Sequence, residues 1–103
     1  MIKHIVSWTF VDAAEGLDKP AIVDAVVDKL SACRNLPGVL EFELARPQEG
    51  LEASFDLVLC SAFDSVESLR AYVAHPVHQA AGAYIATVKR TRQAMDYDTA
   101  ALG

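Results

Sequence analysis

The chain has 103 residues, with nine Lys and Arg against 14 Asp and Glu, a net charge of −5, and a hydrophobic content of 52%. That content supports a packed core and excludes a disordered chain. The negative balance argues against nucleic acid, whose binding rests on neutralised phosphates, and against anionic membrane surfaces. No basic-then-apolar leader opens the chain, and no apolar run approaches the roughly 20 residues that a span needs. A cytoplasmic protein, with neither nucleic acid nor membrane as partner, is the expectation.

Ile2 to Val11 alternates as a strand does. Ile2, His4, Val6, Trp8 and Phe10 share the more apolar face, which predicts that this face meets helices and that His4 lies on it. Asp12 to Leu17 reads as a loop. Asp18 suits an N-cap, with Pro20 in the first helical turn. Ile22, Val23, Val26, Val27, Leu30 and Cys33 then recur at helical spacing, and Leu36-Pro37-Gly38 is the expected stop.

Val39 to Arg46 reads as a second strand, with Leu40, Phe42 and Leu44 opposed to Glu41 and Glu43. After a turn-rich loop, Phe55 to Phe63 reads as a third. Asp64-Ser65-Val66-Glu67 has the form of a capping box. A helix from Ser65 to about Ala74 should turn Val66, Leu69 and Val73 inward. Pro76 disfavours helix in the residue before it and suits the start of the next one. That second helical segment carries Val77, Ala81, Tyr84, Ile85 and Val88 as its stripe. A polar strand follows, about Lys89 to Tyr97.

The order β-α-β-β-α-β over one domain, residues 1–103, is ferredoxin-like: α+β, with a four-stranded antiparallel sheet covered by helices on one face. Ile5, Val11, Val58 and Ala62 are expected on the bare face. No element remains to cover it, so a second copy of the chain, packed sheet on sheet, is the expected partner.

The opening Ile2-Lys3-His4-Ile5-Val6, the turn Phe63-Asp64-Ser65, and Tyr72-x-x-His75-Pro76-x-His78 followed by Asp96-Tyr97 resemble the stress-responsive dimeric α/β-barrel (Dabb) domain family. The resemblance spans nearly the whole chain. It implies a homodimer whose two sheets close into a barrel. It also implies a small-molecule pocket between sheet and helices, with no cofactor and no reaction assigned. The alternative comes from members of polyketide-cyclase type, which close a chain by an aldol reaction. On that branch His78 is implied as general base, Tyr72 as the hydroxyl that holds an enolate oxygen, and Asp96 as the carboxylate orienting His78. The ligand-binding residues are then His4, Val6, Trp8, Leu57, Leu59 and Arg92. Leu57 stands where the cyclase pattern has another histidine, Ala81 where an aromatic would help shape the pocket, and Arg92 where an apolar pocket residue is expected. These departures are compatible with a smaller or anionic ligand.

The chemistry is sound, since a histidine titrates near neutral pH and a carboxylate fixes its tautomer. Each residue also has a plainer structural role. His78 can satisfy local backbone groups, Tyr72 can be core, and His4 can be a satisfied strand histidine. His75 is best explained as a cap at the helix break. His75 and His78 lack an obvious third and fourth ligand nearby, although His4 and Asp96 could approach, and no metal site is expected. Lys89, Arg90 and Arg92 read as a solvated strand face. Cys33 and Cys60 read as buried thiols, in no redox or zinc motif.

Overall fold

The computed structural model describes residues 1–101. Strand β1 (Ile2–Phe10) runs into a small hairpin, β2 (Ala13–Ala14) and β3 (Leu17–Asp18), inside the predicted loop. Its two turn residues, Glu15 and Gly16, both have positive φ (50° and 80°), the geometry that matches strand twist. Helix α1 (Lys19–Ser31) begins as expected, with Asp18 accepting from the Ala21 N–H at 3.0 Å. It ends before the Leu36-Pro37-Gly38 stop, because its last turn unwinds through Ala32. Cys33 therefore sits in that turn rather than in the helix.

Strand β4 (Val39–Ala45) differs from the expected pattern at its start. The register with β5 (Leu57–Phe63) shifts between Val39 and Glu41, so Val39 faces inward and Leu40 is thrust out, 57% exposed. A bulge of one residue reverses the face of everything before it. Strand β5 also starts two residues later than Phe55.

Helix α2 (Val66–Ala74) is capped by Ser65, whose Oγ accepts from the Ser68 N–H. Asp64 instead accepts from the Ser68 hydroxyl at 2.6 Å, which replaces the predicted box. Leu69 and Tyr72 turn inward, while Val66 and Val73 are exposed. The aromatic ring wins because it packs against Phe63, 4.9 Å between centroids, beside Cys33 and Ile2. Pro76 starts helix α3 (Pro76–Val88), and His75 caps it through Nδ1, which accepts from the Val77 N–H at 3.1 Å. Strand β6 (Lys89–Asp98) closes the chain.

The main sheet has the antiparallel order β4-β5-β1-β6, with the helices on one face. This is the ferredoxin-like α+β fold. Two apolar clusters lie under the helices. One gathers Val6, Trp8, Phe10, Leu57 and Leu59 against α1 and α3. The other gathers Ile2, Phe63, Leu69, Tyr72 and Cys33 under α2.

The bare face carries Ile5, Val58 and Cys60, with Met95 65% exposed directly across from Ile5. Cys60 is therefore half-exposed on this face rather than buried in the core. Two expected members behave otherwise. Val11 leaves the sheet after Phe10 and packs on the first cluster, its N–H donating to the Val88 carbonyl. Ala62 is fully buried, flanked in register by Lys3 and Glu41, which form an ion pair.

Candidate functional site

The strand registers set out the helix-facing side of the sheet as rows. Ile2 lies between Phe63 and Asp98, His4 between Ser61 and Asp96, Val6 between Leu59 and Ala94, and Trp8 between Leu57 and Arg92. The polar row of His4, Ser61 and Asp96 interrupts the apolar core between its two clusters. His4 is only 5% exposed and Ser61 is buried. A buried imidazole needs partners. His4 has one in Asp96, whose carboxylate meets its Nδ1 at 2.5 Å, while Ser61 donates to the His4 carbonyl at 3.3 Å.

This pairing corrects the expected constellation. Asp96 is the partner of His4, not of His78. Position explains it: His4 and Asp96 are direct cross-strand neighbours on β1 and β6, whereas His78 reaches in from α3. With Nδ1 committed to Asp96, Nε2 is the free ring nitrogen of His4.

Above the sheet, one face of α3 presents His78, Gly82, Ile85 and Ala86 at spacings of four, three and one. Between this face and β1 lies a cavity of about 210 Å³. Val6, Trp8, Leu30 and Leu59 form its apolar wall, His4 and His78 face it, and Lys89 and Arg92 stand at its rim. The structure thus brings six of the expected residues together: His4, His78, Val6, Trp8, Leu59 and Arg92. Trp8 is 97% buried in effect (3% exposed), and its Nε1–H has no partner among the described residues.

Three expected residues fall elsewhere. Leu57 is fully buried in the core and does not line the cavity. Asp96 lines a larger, shallower groove of about 580 Å³ between α2 and β6, so its carboxylate lies between groove and cavity. Tyr72 is buried, its hydroxyl has no hydrogen-bond partner among the described residues, and its ring meets His78, 4.8 Å between centroids. Burial, with the Cys33 thiol close by, pushes the Tyr72 phenol far above its ordinary value. Tyr72 does not line the cavity and packs in the second cluster instead.

The orphan hydroxyl gives a prediction. Removing an unpaired buried polar group is neutral or favourable. Tyr72→Phe should leave stability unchanged or raise it by up to about 1 kcal/mol in urea unfolding. A clear loss would show that the hydroxyl has a partner in solution.

Burial lowers the pKa of His78, and the neighbouring His4 and Arg92 act in the same sense, while the Val73 carbonyl opposes them. The fold therefore favours neutral His78, and the unfolded chain binds its proton first as pH falls. The stability from His78 is complete above about pH 6.5. It is lost as pH drops through that value toward the lower folded pKa, and the loss then levels off. Subtracting the stability–pH profile of His78→Gln from that of the parent should leave a step of this sign. A flat difference would contradict the burial of His78.

Lys89 and Gly82 were not foreseen as site residues. Lys89 was hidden in a run of cations that reads as solvated surface. Gly82 had one signal, an isolated glycine in a helical pattern, which lowers helix stability and calls for a local reason. No group of three or more His, Cys, Asp or Glu could hold a metal ion among the described residues.

Comparison with known proteins agrees with this fold. The model of the Stress responsive A/B Barrel Domain matches residues 2–99. An uncharacterized protein of Streptomyces coelicolor is 32% identical over 84 residues, 78% of this chain and 81% of that one. A dimeric protein of unknown function and ferredoxin-like fold from Bacteroides fragilis superposes with a TM-score of 0.78 at 26% identity, covering 94% of each chain. A dimeric ferredoxin-like protein of unknown function from Thermobifida fusca gives a TM-score of 0.79 at 26% identity, covering 93% of this chain and 88% of its own.

Proposed function

Since this chain belongs to the stress-responsive A/B barrel domain family, we propose that it works as a homodimer, joined through the bare sheet faces, with a small-molecule site in each protomer. The site is the cavity between β1 and α3. One observation carries the reading: a cavity faced by two histidines, His4 and His78, with Trp8 in its apolar wall and Lys89 and Arg92 at its rim. Ligand pockets combine apolar lining with a few convergent polar groups in this way. The dimeric state of the B. fragilis and T. fusca proteins supports the paired sheets. A cytoplasmic place and a role in a stress response belong to the same reading. No helix among the described residues is long and apolar enough to cross a membrane.

A thermal-shift screen of small acids, amides and phenols, run in parallel on His78→Ala, tests the site. Ligands should raise the melting temperature of the parent and act more weakly on the variant. A screen with no stabilising compound would count against it.

A second reading, a cofactor-free acid–base enzyme of cyclase or lyase type, is favoured by one specific contact. His4 faces the cavity and is held by a carboxylate, the arrangement that orients a general base. In that reading His4 with Asp96 is the dyad, and His78 is a second imidazole across the cavity. Asp96→Asn, which keeps the shape but removes the charge, would lower turnover far more than stability.

A further inference from the structure

We infer that the ligand of the cavity between β1 and α3 is a small anion, a carboxylate carried on a compact apolar body. This rests on the reading of that cavity as a ligand site and names its ligand class.

The charge distribution carries it. The chain is acidic overall, at −5, yet the cavity lining holds two cations, two histidines and the Trp8 side chain, and no carboxylate. The three cations that open β6 divide by environment. Arg90 lies 3.7 Å from Asp12, a neighbour that Lys19 shares. Lys89 and Arg92 form no ion pair among the described residues.

Arg92 stands directly opposite Trp8 in the sheet and so projects from the helix-facing side, toward the cavity and away from the bare face. Asp96, the carboxylate next to the cavity, is engaged by His4 Nδ1 and lines the groove on the far side. Donors without acceptors are therefore concentrated at one apolar cavity.

A guanidinium binds a carboxylate through two parallel hydrogen bonds. An anion entering past Lys89 and Arg92 would pair with both cations. The 210 Å³ of space corresponds to about seven waters at their liquid share of volume. That suits the buried part of a benzoate- or hexanoate-sized acid.

The test is calorimetric titration of the full chain with benzoate, phenylacetate and hexanoate, and with the three matching primary amides. The amides keep the shape and lose the charge. The inference expects at least one acid to bind about tenfold to a hundredfold more tightly than its amide. It also expects Arg92→Gln to remove most of that difference. Arg92 is exposed on an edge strand, so the variant should fold. Amides that bind as well as the acids would overturn the anion and leave the cavity as a ligand site. An acid preference unchanged in Arg92→Gln would also overturn it. If neither acids nor amides bind, both the inference and the underlying site fall.

Discussion

Ile5→Glu is expected to turn a dimer into a monomer. Ile5 sits mid-strand on the bare face, between Cys60 of β5 and Met95 of β6. The exposed Met95 and the half-exposed Ile5 and Val58 make this face a poor surface to leave in water. If two copies meet there, a two-fold axis places each substitution in the same interface twice. Two buried carboxylates, with like charges facing each other, cost several kcal/mol, which weakens association by about a hundredfold or more. The side chain is not part of the helix-side core, so the protomer should stay folded. Sedimentation equilibrium at micromolar concentration reads the outcome. A parent protein that is already monomeric, or a variant that still sediments as a dimer, would contradict the paired sheets.

Gly82→Phe is expected to abolish ligand binding without unfolding the chain. Gly82 lines the cavity from the middle of α3, and a Cβ built there meets nothing within 4 Å. A phenyl ring at that point occupies the space that the ligand would use. Affinity should fall by about a hundredfold or more. The control is Gly82→Ala, which adds one methyl group and removes the entropic cost of a helical glycine, about 1 kcal/mol. It should raise the melting temperature by about 4–8 °C and leave ligand affinity close to that of the parent. Calorimetry and thermal unfolding of the two variants separate the outcomes. Full affinity in Gly82→Phe would place the ligand elsewhere.

Much of the fold was legible because its signals are local. The alternation of β1, the Asp18 cap, and the proline that divides α2 from α3 each act within a few residues, and the structure follows them. The misread places depend on partners far along the chain. The bulge at Leu40 is a matter of register with β5. The inward turn of Tyr72, in place of Val73, depends on Phe63 and Cys33. Helical spacing allows either residue, and only tertiary packing decides.

The site divides in the same way. That His4, His78, Val6, Trp8, Leu59 and Arg92 share one cavity follows from strand alternation and the helix face. Which histidine the carboxylate of Asp96 serves does not. That depends on which residue of β1 stands opposite residue 96 in β6, and register fixes it as His4. The place of Lys89 beside the cavity was hidden for a related reason: its neighbour Arg90 has an acidic partner and it has none among the described residues, a difference that a sequence of adjacent cations does not display.

Trp8 is the only tryptophan in the chain; it lines the cavity, and its buried N–H has no partner among the described residues. Its indole N–H resonance in a ¹⁵N-labelled sample is therefore a direct probe of the cavity. Titrating benzoate should move that resonance progressively to saturation, together with the ring signals of His78. A benzoate titration that saturates elsewhere on the protein while the Trp8 indole signal stays in place would contradict the assignment of this cavity as the binding site.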